Sequence, residues 1–425
     1  AEQGGEKVSV NAVWDGRAEA RAIGEIIEEQ QRKQKPLSET AILVRAGFQT
    51  REFEEQFLTL AIPYRIIGGV RFYERAEIRD TMAYLRVIVN PDDDLAFERI
   101  INVPKRGIGD TTVAKLYRIA QMAGTSLLKA SIDIVQTEEI NKKARTSLSK
   151  LIDNFDQWRK AFNDISHQDL TDRVLEESGY YDKWRNDKSP DAPGKLDNLS
   201  ELIRGMEPFE NLAEFLEHIS LVMENTANNQ YDSVNIMTLH GSKGLEFNTV
   251  FLPGWEEELF PSKRSLEEQG ERGLEEERRL AYVGITRAKK NAHIFYAATR
   301  YMFGNYMSPI PSRFIEELPN EHIERNGHQD LTSIDQASYQ PAAIGFNFGE
   351  GRENYQLDRS KAKKKSINQD RALKNPEPSK FSIADRVFHD KFGYGKVTAI
   401  DGNKLMIDFE MGSPRKVMDS FIKLV

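Results

Sequence analysis

The segment EEERRLAYVGITRAKK, residues 275–290, carries the first side chain placed to do chemistry. Glu275, Glu276 and Glu277 run into a helical pattern, and Gly284-Ile285-Thr286 then deliver Arg287. A guanidinium presents parallel N–H groups that suit a phosphate. The alternative is a plain helix terminus, at which Arg287 satisfies the last carbonyls. A second segment, LHGSKGLEF (239–247), follows a strand pattern and is expected to open a short helix. Gly241 and Gly244 would admit a ligand close to the backbone, and helix-start amides with Lys243 would attract phosphate. Glu246 would accept a hydrogen bond from a sugar hydroxyl. An ordinary strand-to-helix turn with a solvated lysine accounts for the same residues. A third segment, PKRGIGDTTVAKL (104–116), places Gly107-Ile108-Gly109 in a tight turn, with Asp110 or Thr111 as helix cap and Lys105 and Arg106 alongside. Such a turn presents amides to a nucleic-acid phosphate without reading bases. A capped loop with no ligand is the plain reading.

Other chemistries are absent from the sequence. There is no cysteine, which removes disulfides and thiolate metal sites, and the seven histidines show no metal-ligand spacing. No G-x-x-x-x-G-K-[ST] occurs, and no strand pattern ends in paired acids suited to Mg²⁺, so an arginine acting on a nucleotide needs that nucleotide held by something else. A net charge of −8 argues against coating nucleic acid with the whole surface, but a local basic groove remains open. No apolar run is long enough to span a membrane. The chain starts at Ala1 without a signal-peptide pattern, which suggests an excised piece of a longer protein.

These segments need a scaffold, and the pattern predicts an α/β one. VSVNAVW (8–14), AILVRA (41–46) and YRIIGG (64–69) read as strands, and Ala18, Ile23, Ile26 and Ile27 line one helix face between them. From residue 74 the spacing becomes helical, and Asn90-Pro91 ends the first helix. Strands return at VNIMTLH (234–240), NTVFLPG (248–254) and NAHIFYAA (291–298). The expected organisation is a parallel sheet over 1–73 and 231–318, interrupted by an all-helical insertion over 74–230. A linker over 319–380 and a small SH3-like barrel over 381–425 follow. In the barrel, KVTAI and KLMIDF flank an Asp401-Gly402-Asn403 hairpin, with Leu405, Ile407 and Phe409 on one face and Val397 and Ile400 joining that core.

Taken together, the motifs resemble a known family. VNIMTLHGSKGLEF is similar to motif V, and EEERRLAYVGITRA to motif VI, of superfamily-one DNA helicases of the UvrD/PcrA/Rep type. IPYRIIGGVRFYERAEIRDTMAYLRVIVNPDDD and RIINVPKRGIGDTTVAKL resemble the entry to, and interior of, their inserted 2B subdomain. GWEEELFPSKRSLEE and FGNYMSPIPSRFIEELP extend the resemblance to residues 8–320, and residues 381–425 resemble the Tudor-like tail of PcrA and UvrD. The resemblance implies a RecA-like 2A domain, the 2B insertion and the tail, without the 1A and 1B domains that supply the P-loop and the Mg²⁺ carboxylates. It makes Arg287 the motif VI arginine reaching the γ-phosphate of ATP. Glu246, with Gly244, belongs beside the nucleotide, and His240, Lys243 and Arg45 along single-stranded DNA. Ala46-Gly47 departs from the family's usual Thr-Asn or Ser-Asn after that arginine. Lys105, Arg106, Gly107 and Gly109 would meet duplex DNA.

The implied activity is an ATP-dependent 3′–5′ helicase stepping inchworm fashion in repair and replication, in the cytoplasm with the nucleoid. ATP and Mg²⁺ are its cofactors in the complete enzyme, and no resident metal is expected here. The missing 1A/1B domains and, through residues 381–425, RNA polymerase are expected partners. The different-class alternative is a non-enzymatic DNA- and protein-binding piece acting through 2B and the tail. A helicase–nuclease subunit of the RecB or AddA kind would need a nuclease domain where the barrel stands.

Overall fold

The computed structural model describes residues 6–224, 232–302, 305–326 and 380–425. They fall into two compact units, one over residues 1–135 and 140–331, the other over 136–139 and 332–425. In the first, β1 (Val8–Val13), α1 (Gly16–Arg32), β2 (Thr40–Val44), α2 (Thr50–Thr59) and β3 (Tyr64–Ile66) lead into nine helices among the described residues. These are α3 (Ala76–Val89), α4 (Asp94–Ile100), α5 (Asp110–Ala123), α6 (Leu127–Ile134), α7 (Lys142–Ala161), α8 (His167–Glu177), α9 (Tyr180–Arg185), α10 (Ala192–Gly205) and α11 (Leu212–Glu224). The chain then returns through β4 (Val234–Thr238), β5 (Phe247–Leu252), α12 (Lys263–Gln269), α13 (Glu271–Ile285) and β6 (Ala288–Ala297). β7 (Arg300–Met302) and β8 (Asn305–Met307) form a hairpin, followed by α14 (Arg313–Glu316) and β9 (Ile323–Asn326).

One seven-stranded sheet, ordered β3-β4-β2-β5-β6-β1-β9, joins the early and late strands, and all of its pairings are parallel. β2 lies near its middle with every residue buried, which explains its unbroken apolar run. Alternation sorts its side chains: Ile42 and Val44 join Ile23, Ile27, Phe53 and Phe57 beneath α1 and α2. Ala41 and Leu43 join Leu280 and Ala281 of α13 on the other face. Asp15 caps α1, its carboxylate accepting from Ala18 N at 2.7 Å. β9 differs from the expectation. The sequence pattern places residues 323–326 in a linker, yet Ile323 is buried and pairs with Val8 at the sheet's edge. One apolar residue in a short polar strand leaves too little periodicity to detect. Residues 327–379 of the expected linker lie outside the described residues.

The helical insertion has its own aromatic core. Phe155 meets Trp158 edge-on at 5.1 Å between centroids, and Tyr84 meets Trp158 at 6.1 Å. Buried ion pairs fasten the insertion to the sheet domain. Arg51 of α2 bonds Glu201 of α10 and Glu55 at 2.6 Å each, and Arg204 pairs with Glu52. Burial works against charge on Arg51, but Glu55 and Glu201 hold its pKa above the ordinary value.

The second unit contains β10 (Arg386–His389), β11 (Gly393–Asp401), β12 (Lys404–Phe409), β13 (Arg415–Met418) and β14 (Ile422–Leu424) in one antiparallel sheet, ordered β13-β12-β11-β10-β14. Leu405, Ile407, Phe409 and Val397 form its core with Val387 and Val417. Asp401 pairs with Lys404 around the hairpin, where Gly402 takes φ +59°. Ile400 does not join the core: it lies beyond a register shift between Val397 and Ala399, at the hairpin end, and is 37% exposed.

Candidate functional site

The C-terminal ends of β2 and β4 meet where ligands commonly sit on parallel sheets. Leu239 N donates to Val44 O at 2.8 Å, which holds Arg45 and His240 on adjoining strand ends. Arg45 turns toward α13. Its Nε and Nη2 donate to the two oxygens of Glu277 at 2.8 and 2.6 Å, and Ser262 N donates to the same carboxylate at 3.0 Å. Glu277 is buried, whereas the Arg45 side chain keeps 19% exposure. His240 is exposed beside this pair. Partial desolvation first, and then the Arg45 charge, push its pKa below the usual histidine value, so the ring is neutral near pH 7.

The short helix expected after β4 is a single turn of 3-10 helix, His240–Ser242. Gly241 N is taken by the Thr238 hydroxyl, Ser242 N by Leu239 O and Lys243 N by His240 O. The amides expected to cradle phosphate therefore have partners within the turn. Gly244 adopts φ +88°, a conformation that favours glycine, and it reverses the chain toward β5. Lys243 and Glu246 are exposed, and Glu246 lies 3.9 Å from Lys289.

Arg287 follows the C-cap of α13, Thr286, and is half-buried. Its Nε donates to Val283 O, its Nη1 to Leu245 O and its Nη2 to the Thr286 hydroxyl, at 3.0, 3.0 and 3.1 Å. The guanidinium thus satisfies carbonyls at the helix end and, through Leu245, clasps the 240–247 turn. Phe247 N also donates to Arg287 O at 2.9 Å. Gly284 permits this approach: a Cβ there would stand 2.6 Å from Leu239 Cδ2. One end of α13 therefore carries Arg287, while Glu277, roughly 15 Å earlier along the helix, holds Arg45.

Lys105, Arg106, Gly107 and Gly109 sit in the helical insertion, between α4 and α5. Gly107 has φ +73°, and Gly109, not Asp110, is the N-cap of α5, with no side-chain cap bond. Lys105 is exposed. Arg106 faces inward, donating to Ile100 O, Val103 O, the Tyr84 hydroxyl and Ser178 O at 2.6–3.2 Å. Asn102 Oδ1 accepts from Arg106 N and Ile108 N, at 2.7 and 3.3 Å. These bonds shape the loop and leave its glycine backbone and Lys105 outward.

Sequence reasoning missed the residues that hold these groups. Glu277 was one charge in a run. Gln49 Oε1 accepts from Ala46 N at 2.8 Å, and Arg75 Nη2 donates to Gly47 O at 3.1 Å, so the turn after Arg45 is fixed from outside it. A cleft of 910 Å³ opens beside Arg45, with Phe48, Thr238, Gly241, Lys195 and Lys263 in its walls. Among the described residues no cluster of three His, Cys, Asp or Glu could hold a metal ion, and no helix is long and apolar enough to cross a membrane.

Comparison with known proteins decides the family. The UvrD-like helicase C-terminal domain matches residues 1–299. The chain belongs to that family. It is 47% identical over 322 residues to a probable DNA helicase II homolog of Rickettsia conorii, covering 75% of this chain and 49% of that protein. It is 39% identical over 330 residues to DNA helicase II of Escherichia coli, covering 75% and 46%. The match to the ATP-dependent DNA helicase PcrA of Staphylococcus epidermidis is 34% over 435 residues, covering 99% of this chain and 56% of the relative. The chain spans about half the length of these curated relatives. The seven-stranded parallel sheet, its helical insertion and the separate antiparallel sheet are thus the architecture of a UvrD-like helicase C-terminal part.

Proposed function

We propose that this UvrD-like chain is the C-terminal part of an ATP-dependent helicase that moves 3′ to 5′ along single-stranded DNA and opens duplex in repair and replication, in the cytoplasm with the nucleoid. The observation that carries this reading is the placement of α13. Arg287 at its end and Glu277 on its body tie the 240–247 turn and the Arg45 strand end to one rigid element. In this reading Arg45, His240 and Lys243 track single-stranded DNA beside the cleft, and Lys105 with the Gly107–Gly109 backbone meets duplex phosphates. Glu246, Gly244 and Arg287 face the nucleotide.

The residues present do not by themselves fit ATP·Mg²⁺. The sequence has no P-loop, the turn amides at 241–243 are already bonded, and no acidic cluster is poised for the metal among the described residues. What supports a nucleotide role is limited to the Arg287 charge and the Glu246 carboxylate, so ATP and Mg²⁺ belong mainly to 1A and 1B domains outside this chain. Alone, the chain acts as a DNA- and protein-binding piece, and residues 381–425 serve to recruit a protein partner, with RNA polymerase as the partner to test.

The test compares the purified chain with the same chain joined to a P-loop half. The chain alone should bind single-stranded DNA and hydrolyse no ATP, and the joined protein should show DNA-stimulated hydrolysis and 3′–5′ unwinding. Hydrolysis by the contaminant-free chain alone, or no stimulation in the joined protein, overturns the reading.

A further inference from the structure

The second compact unit includes Gln136–Glu139 together with the C-terminal residues. Among the described residues β13 is the terminal strand of its sheet, so one row of its backbone groups has no neighbouring strand there. Glu138 N donates to Lys416 O on that edge at 3.2 Å, a single backbone bond made from a bent stretch of chain, residues 137–140. Side chains carry the rest of the recognition. The Glu138 carboxylate pairs with Arg415, and Glu138 O accepts from Lys391 Nζ at 2.9 Å. Gln136 Oε1 accepts from Lys404 Nζ at 2.6 Å.

Glu139 meets His389 with both side chains buried, its carboxylate 2.9 Å from Nε2. Lys391 N donates to His389 Nδ1 at 3.0 Å, which assigns the ring proton to Nε2 and makes the contact an N–H to carboxylate bond. The imidazole is packed by Phe392, Phe409 and Phe421, with centroids 4.7, 6.1 and 6.4 Å away. In such surroundings a carboxylate without its donor is costly, so the site discriminates strongly for it. Residues 381–425 hold seven Lys or Arg against six Asp or Glu, nearly balanced, yet Lys391, Lys404 and Arg415 gather on this one face. Arg415 and Lys391 also cover the Phe392 ring, at 4.8 and 4.7 Å from its centroid, so the aromatic group is already matched with cations. The ligand chemistry complementary to this face is acidic.

We propose that the β13 edge, with His389, Arg415, Lys391 and Lys404, is a docking site for an acidic loop of a partner protein carrying two consecutive glutamates, and that Gln136–Glu139 is the chain's own occupant of it. The proposal rests on the reading that this unit recruits a protein, and it names the chemistry recruited. An occupant on the same chain competes intramolecularly with any free segment. A free segment therefore binds weakly until the chain's own glutamates are removed.

The probe is a fluorescent peptide with the sequence of residues 133–142, titrated by anisotropy against the full 425-residue chain. Glu138→Ala/Glu139→Ala in the chain should lower the peptide Kd at least tenfold. Arg415→Gln added to that variant should reverse the gain by at least tenfold, as should a peptide whose two glutamates are glutamine. Lys404→Gln offers a second, conservative loss, and the thermal transition of each variant verifies folding. Equal binding by substituted and unsubstituted chains, no binding to either, or equal binding of the glutamine peptide overturns the proposal. Capture of polymerase by the chain but not by one ending at residue 380 tests recruitment separately, so failure of the peptide chemistry and failure of recruitment are told apart.

Discussion

Arg45 and Glu277 form a two-point ion pair, at 2.6 and 2.8 Å, between the end of β2 and the helix that carries Arg287. Glu277 is buried and also accepts from Ser262 N, so it has no water to fall back on if the arginine is lost. A shared guanidinium can bond one carboxylate and still present an edge to a phosphate, because it has five N–H donors.

That arrangement gives a test of Arg45. If its exposed edge contacts a phosphate, Arg45→Ala should flatten the salt dependence of single-strand binding by about 0.7 in log–log slope. If the guanidinium serves only Glu277, affinity falls with the slope unchanged. Glu277→Gln, which keeps one hydrogen bond, should weaken binding less than Arg45→Ala. Titrations between 50 and 300 mM salt read all three.

For Arg287, the expected split is between hydrolysis and binding. In the chain joined to its P-loop half, Arg287→Ala should lower the DNA-stimulated hydrolysis rate by about 10³-fold or more, the loss typical of an arginine that stabilises phosphoryl transfer. Single-strand affinity should stay within about twofold, since its bonds to Val283 and Leu245 are local. Wild-type turnover would leave Arg287 with its helix-end role alone.

In the insertion, Gly107→Val places a branched side chain at φ +73°, which costs about 1–2 kcal/mol of local strain. Open space surrounds the missing Cβ, so the change reads backbone geometry and not a clash. Duplex affinity should fall while single-strand affinity holds. Asn102→Ala should do the same by releasing the Arg106 and Ile108 amides. Unchanged duplex binding in folded variants would make the loop purely structural.

Glu54 sets a pH dependence. Burial raises its pKa to about 7, although Thr50, Phe72 N and Tyr64 all donate to it. A raised folded-state value means the folded chain keeps a proton that the unfolded chain has lost. This contribution is complete below about pH 4.5 and is lost as pH rises through 7, a change on the order of 3 kcal/mol. Urea unfolding from pH 5 to 8 should show wild type losing stability relative to Glu54→Gln. A flat difference between the two would contradict it.

Arg300 is the central charge of a buried triad, bonded to Glu256 at 2.5 and 2.7 Å and to Glu19 at 2.9 Å. Arg300→Met leaves two facing carboxylates in the interior and should cost about 3–5 kcal/mol. Replacing all three by apolar residues should cost less than the single change, because no charge is then stranded. Chemical denaturation of the two variants decides it.

The sequence by itself determined the central strands of the sheet, because a parallel sheet covered on both faces demands apolar runs such as residues 41–44 whatever surrounds them, whereas the polar edge strand β9 escaped it. It also determined the hairpin at Gly402, where backbone conformation restricts residue choice, and the family, whose motifs are contiguous in the chain. It located Arg287, Arg45, Lys243 and the Gly107–Gly109 turn as separate candidates. Only the tertiary structure decided what each arginine touches. Arg45 meets a glutamate more than two hundred residues away in the sequence, Arg106 turns into the protein while Lys105 beside it stays out, and the amides at 241–243 close on their own turn. Charged side chains obey no periodicity: their partners are set by which strand ends and helix faces packing brings within about 3 Å of one another, and that distance is not encoded in local spacing. The same holds for Glu139, an ordinary loop acid in the sequence, whose buried partner His389 within the second unit appears only once the chain is folded.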